Sequence, residues 1–378
     1  MELTKCKLGE LITQRREKND GSDLPICGVS KDGLIPPKQK DADTSIYNVF
    51  YRDDFIFNPA RMELNSIAIN DMYDRAICSS LYEVFYVHRT DLLLPHYLKL
   101  IIRQKWFTRY CEFLGQGSAR EYCRFGNISE IEIEFPPIKE QQKIVDYNTA
   151  IENRIALKQK INDNLANTEQ LILYQAISKN QTIPLSLNEI AEFIDGDRGK
   201  NYPTFDEFST SGFCLFLNAS NVTSSGFNFD SCMFVTEEKD KIMRNGHLLL
   251  NDIVFTSRGT LGNVALYDKN IKYKNVRINS GMLIIRPKGI NLSPYFIYAL
   301  LKSNYMKSAI EQFRSGSAQP QLPIKDLQNI TFDIPESQNV LDDLEHRFFE
   351  IEETISINKR EIGNLSELAS ILLARLSR

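Results

Sequence analysis

The sequence predicts an α+β chain made by tandem duplication: a mixed α/β domain followed by a long α-helix, then both again, with the two helices paired as an antiparallel coiled coil. Three observations carry this. After Pro136-Pro137 no proline or glycine occurs until beyond residue 180. Proline fits a first helical turn and disrupts an interior one, so this stretch reads as one helix of roughly 60 Å, at ~1.5 Å per residue. A second long helical stretch starts at Pro335. There Leu344, Phe348, Ile351, Ile355, Asn358, Ile362, Leu365, Ala369, Leu372 and Leu376 follow alternating steps of four and three, a heptad seam with one polar break at Asn358. The same register 200 residues earlier gives a poorer seam whose polar members are Asn148, Lys158, Asn162 and Glu169. Third, landmarks recur at a fixed spacing: Pro95 with Pro294, Gly117-Ser118-Ala119 with Gly316-Ser317-Ala318, and Pro136 with Pro335. The expected boundaries are a first domain over 1–135, a first helix over 136–180, a second domain over 181–334 and a second helix over 335–378.

Taken in order, the first domain is expected to open with a short helix over 8–15 and a glycine- and proline-bearing loop. Strands follow over 47–51, 54–57, 66–69 and 82–87, then a helix from 95 to about 113, a polar glycine loop (GQGSAREYCRFGN), and a strand over 128–135. The second domain repeats the order: a helix over 187–194, strands over 213–217, 252–256, 263–267 and 282–286, a helix from 294, the loop RSGSAQPQ, and a strand over 330–334.

Composition narrows the function. Of 378 residues, 42% are hydrophobic, which suits packed cores. Seven cysteines without a CxxC pair and four scattered histidines point to a reduced, cytoplasmic setting and away from a metal centre. No apolar run reaches the ~20 residues of a membrane span, and the N-terminus lacks a secretory apolar segment. Residues 1–135 carry 18 basic and 20 acidic side chains, and the other segments are similarly balanced, so no basic excess announces nucleic acid by itself. Such a partner requires local basic loops, or further subunits that supply charge.

Three stretches resemble the specificity subunit of type I restriction–modification systems: FPPIKEQQKIVDYNTAIENRI entering the first helix, DDFIFNPARMELNSIAIN in the first domain and NDIVFTSRGTLGNVALYD in the second. The resemblance, with the duplicated layout, covers the whole chain. It implies that each globular domain is a target recognition domain reading one half of a bipartite site in double-stranded DNA. It further implies that the helices hold the domains apart and dock two methyltransferase subunits, and that a translocating nuclease subunit joins for cleavage. The second helix enters as IPESQ where the first has PPIKEQ, a departure at the docking end.

Reading base edges takes bidentate donors on loops, and phosphates take amines and hydroxyls. In the first domain the candidates are Arg15, Arg16, Lys18, Lys38, Lys40, Arg61, Gln116, Ser118, Arg120 and Arg124. In the second they are Arg198, Lys200, Asn201, Tyr202, Arg258, Arg314, Ser315, Ser317, Gln319 and Gln321. Arg61 and Arg258 stand out because they follow matched strands.

Catalytic signals fail. Phe57-Asn58-Pro59-Ala60 lacks the second proline and the aromatic of an amino-methyltransferase motif. Gly115-Gln116-Gly117 has Arg120 where a dinucleotide loop needs glycine, and it follows a helix. The acidic run around Glu237-Glu238 reads as an exposed turn, and Asp342-Asp343 suits a helix N-terminus. No enzyme activity, cofactor or metal is expected. A protein–protein scaffold with duplicated peptide-binding domains is the rival reading; it accounts for the coiled coil but not for the paired NPARME and SRGTLG loops.

Overall fold

The structure, a computed structural model, describes residues 3–31, 33–37, 43–115, 122–289, 292–313 and 322–375. The chain divides into two compact units, one of residues 1–156 and 363–378 and the other of residues 157–362.

The first unit is built on a four-stranded antiparallel sheet in the order Ile12–Arg15, Glu83–Val87, Phe55–Phe57, Ile67–Ile69. Its central strand is apolar throughout because both faces are covered. Phe55 and Phe57 point into one core with Tyr97, Leu98 and Phe107, while Ile56 points into another with Phe50, Cys78 and Val84. Alternation along a strand assigns the three side chains to those opposite faces. Helices Pro95–Ile102 and Lys105–Gly115 cover the first face. A second sheet covers the other, in the order Gly33–Ile35, Ile26–Ser30, Arg75–Cys78, Asn48–Tyr51, with the middle pair parallel. Strand Thr4–Lys7 pairs with Glu132–Phe135, whose end feeds the first long helix.

The second unit repeats the plan. Ala191–Asp195, Met282–Pro287, Ile253–Thr256 and Val264–Leu266 form the antiparallel sheet, and Cys214–Leu217 pairs parallel with Val276–Ile278 in the other. Ile253 and Phe255 face one core and Val254 the other.

Three expectations need correction, and the first is the strand over 128–135, where Phe125–Ser129 is a short helix and only Glu132–Phe135 is strand. The opening segments are not helices over 8–15 and 187–194. Each makes one helical turn, Leu8–Glu10 or Leu187–Ile190, and then becomes the edge strand of the main sheet. Apolar positions 8, 11 and 12 mimic helical spacing, but cross-strand pairing with residues 84–87 wins. The expected single helix from residue 95 is two, broken at Arg103 and Gln104.

The long helices are Ile138–Lys179 and Gln338–Arg375. Within the second unit they run antiparallel. Lys158 Nζ reaches Asn358 Oδ1 at 2.8 Å and Glu361 at 2.7 Å, while Ile172 and Ala176 lie beside Val340 and Leu344. Asn358, the polar break, also donates to Asn162 Oδ1 at 2.8 Å. Polar members of the two seams therefore meet each other, which fixes one register as a buried amide does in coiled coils. Glu169, another of them, is fully buried and takes Lys302 Nζ at 2.7 Å; Lys302 also bonds Glu352 and lies 4.6 Å from the Tyr298 ring centroid. In the first unit Gln141, itself fully buried, accepts from Leu94 N and donates to Leu92 O and Pro136 O, tying the helix start to its domain. The position 200 residues on is Leu341, 9% exposed, so the second helix enters on an apolar contact instead.

Candidate nucleic-acid interface

In the first unit, strand register places the end of Ile12–Arg15, the start of Glu83–Val87 and the end of Phe55–Phe57 at one end of the main sheet. Glu83 organises this end: it accepts from Phe125 N at 2.8 Å, Gln14 Nε2 at 3.3 Å and Arg124 Nη1 at 3.4 Å. Arg124 keeps a 65% exposed side chain, 5.5 Å from the Tyr122 ring centroid. Arg16, which follows the strand Ile12–Arg15, is exposed and donates its Nε–H to Gln14 Oε1. Arg61 lies on the short helical turn Pro59–Leu64, capped by the Asn58 side chain, and leaves helical geometry there with φ −140° and ψ 28°. It is exposed, and its guanidinium has no partner among the described residues. Cys123 N donates to Pro59 O at 3.1 Å, so this turn is sewn to the chain just after the glycine loop.

The second unit reproduces the seam: Leu322 N donates to Ser257 O at 3.3 Å, one residue before Arg258. Ser257 N and Oγ both donate to Gly281 O, at 3.0 and 3.1 Å. The turn carrying Arg258 closes through Thr256, whose Oγ1 accepts from Asn263 N and donates to Thr260 O. Gly259 and Gly262 have φ of +77° and +86°, and a Cβ on Gly262 would stand 2.8 Å from Ile310 Cδ1. That strain and close approach explain the glycines of SRGTLG. Arg198 reaches the same end, donating to Ser280 O at 3.2 Å and Asp195 Oδ1 at 3.0 Å.

Three candidates are placed otherwise. Arg15 sends its Nε and Nη2 to the buried carboxylate of Asp54, at 2.6 and 3.1 Å, and sits 4.7 and 4.6 Å from the Tyr51 and Tyr86 ring centroids. Burial pushes the Asp54 carboxyl up from its usual value and the Arg15 hydrogen bond opposes it. In the second domain Asp252 binds Arg286 the same way, both contacts at 2.8 Å. By register Arg286 occupies the row of Tyr86, so the matched carboxylates take their arginines from different strands. Lys18 spans Ile46 O and Asn48 Oδ1. Tyr202 packs edge-on to Phe216, 5.6 Å between centroids. Lys200 is exposed, and Asn201 donates to Ile242 O at 2.9 Å. Lys38, Lys40, Gln116, Ser118, Arg120, Arg314, Ser315, Ser317, Gln319 and Gln321 lie outside the described residues.

Arg244 was not among the sequence candidates. It is exposed, and its backbone N donates to Asp197 Oδ2 at 2.8 Å beside Arg198 and Lys200. Its only sequence signal is the turn-forming Asn245-Gly246 that follows.

A family model described as the type I restriction modification DNA specificity domain matches this chain twice, over residues 6–167 and 184–362. The MjaIX type I restriction enzyme specificity subunit of Methanocaldococcus jannaschii is 22% identical over 303 residues, covering 76% of this chain and 69% of that protein. The crystal structure of the S subunit of a type I restriction–modification system from M. genitalium superposes with a TM-score of 0.63 at 18% identity, covering 99% of this chain and 96% of that one. With its family domain matched in both halves, the chain belongs to the specificity subunits of type I restriction–modification systems.

Proposed function

We propose that the chain reads a bipartite site in double-stranded DNA, with one half-site for residues 1–135 and the other for 181–334, while the helices over 136–180 and 335–378 set the gap. One observation carries this assignment. In both domains an arginine turn, at Arg61 or Arg258, is hydrogen-bonded at the corresponding place to the chain leaving the glycine loop. Two equivalent cationic edges suit two half-sites. In this reading Arg16, Arg61 and Arg124 face one half-site and Arg198, Lys200 and Arg258 the other, whereas Arg15 and Tyr202 serve the fold. The chain positions two methyltransferase subunits and does no chemistry of its own; a nuclease subunit joins for cleavage, and the complex works in the cytoplasm. The flat charge fits, because partner subunits can supply phosphate contacts. Family membership disfavours the peptide-binding scaffold.

The test is Arg258→Ala, assayed with the methyltransferase partner by mapping methylated sites. Loss of a base contact should cost ~1–3 kcal/mol and relax one position in one half-site, leaving the other half-site unchanged. Equal weakening on all sequences would make Arg258 a phosphate contact. An unchanged profile and affinity would remove the turn from the interface.

A further inference from the structure

The second domain carries a built cationic corner beside the Arg258 turn. Asp197 is 9% exposed, and its carboxylate accepts Gly199 N on Oδ1 and Arg244 N on Oδ2, both at 2.8 Å. Two segments far apart in sequence, 197–201 and 242–245, are thereby held together, and the Asn201 side chain adds a second stitch at Ile242 O. The carboxyl sits below its usual range, chiefly through the Gly199 N–H, so it stays ionised and anchored. Above it the Arg244 guanidinium lies over Gly199, where a Cβ would stand 3.9 Å from Nη2. That guanidinium acts on the Asp197 carboxylate by its charge but makes no hydrogen bond or close ion pair among the described residues, and Lys200, next in sequence to Gly199, is likewise exposed. Arg198 completes the corner and, through Ser280 O, joins it to the strand end that carries Arg258.

We infer that Arg244 and Lys200 form a clamp for a DNA backbone phosphate flanking the half-site read by the second domain, and that Asp197 is the positioning residue that holds the clamp open. The inference rests on the DNA-reading assignment above. Cations with free donors on a pinned backbone suit a phosphate, which needs charge and position but no base geometry. Asp197 is the unexpected part: an ionised acid at a DNA-facing edge repels phosphate, and what it supplies in return is the anchor for the Gly199 and Arg244 backbone N–H groups.

The full chain with its methyltransferase partner, titrated with a mixed-sequence DNA duplex over a salt series, tests this. Arg244→Ala should weaken binding several-fold on all sequences and lower the slope of log affinity against log salt by ~0.9, the release expected for one phosphate. Arg244→Lys should restore the slope, since a phosphate accepts a point charge; loss equal to that of alanine would overturn the phosphate assignment. Asp197→Asn gives a readout opposite in sign to simple electrostatics. Removing a negative charge should tighten DNA binding, whereas loss of the anchor should weaken it several-fold. Tighter binding by Asp197→Asn, or Arg244→Ala matching the unaltered protein, overturns the clamp alone. Absence of salt-dependent duplex binding by the unaltered complex overturns the DNA reading as well.

Discussion

Lys302→Met is expected to destabilise the second unit by about 3–5 kcal/mol, the usual cost of removing one partner from a buried ion pair. The side chain joins three elements: Glu169 on the first long helix, Glu352 on the second, and its own helix Pro294–Lys302. Glu169 is fully buried, and the Glu352 side chain is 8% exposed. Methionine fills the space but removes the ammonium that bonds both Glu169 and Glu352. Burial alone would lower the Lys302 ammonium, yet Glu352, Tyr298 and Glu169 together raise it above its ordinary value, so it remains charged. Half-buried Lys359 also acts on Glu352, so the shortage of positive charge falls on Glu169. Burial accordingly pushes the Glu169 carboxyl up to about 8, with Lys302 opposing. From the usual 4.5 up to that value the folded chain holds a proton that the unfolded chain has lost. Stability should therefore be fullest below this window and decline as pH rises through it. Urea denaturation checks both statements. Adding Glu169→Gln and Glu352→Gln to Lys302→Met should recover much of the loss, and Glu169→Gln alone should flatten the pH dependence. A Lys302→Met protein as stable as the parent would mean the triad does not hold the helices to the domain.

Arg15→Ala should produce a loss of similar kind in the first domain, and it should act on folding rather than on DNA. Asp54 is 1% exposed and depends on Arg15 for two charge-assisted hydrogen bonds. Stripping that partner leaves a buried anion, again at about 3–5 kcal/mol. Contacts with the Tyr51 and Tyr86 rings are lost as well. The denaturation midpoint should fall, while the salt dependence of DNA binding by the protein that remains folded stays unchanged. Unchanged stability with a lower salt slope would return Arg15 to the interface.

The duplication and the helices were legible because they depend on long-range sequence order: proline placement, heptad steps and a repeat near 199 residues. The four polar members of the first seam looked like weaknesses. Lys158 and Asn162 instead meet Asn358, and Glu169 meets Lys302, a partner from the domain that no helical periodicity could supply. Strand Ile26–Ser30 was hidden because Gly28 reads as a loop. In the fold a Cβ there would lie 3.0 Å from Ile35 Cγ1, so the glycine permits a tight strand pair. The candidate interface was legible as loops rather than as residues. Arg15 and Arg16 are neighbours of the same type, yet one reaches a buried aspartate and the other an exposed edge. Strand alternation separates them, and that is visible only once residues 12–15 are known to be strand.

The central claim, two half-sites at a separation set by paired helices, is tested most directly by lengthening both helices equally. Lys158 facing Glu361 makes residues 156 and 362 suitable opposing points. Seven residues inserted after Ala156 and seven after Ile362 keep the heptad seam and lengthen each helix by ~10 Å, the rise of two turns. At ~3.4 Å per base pair this is about three base pairs. Methylation mapping of the lengthened complex should return both original half-sequences with a gap about three base pairs wider and reduced occupancy, because the half-sites turn relative to each other around the duplex. An active complex that methylates the original site with its original gap would contradict the account.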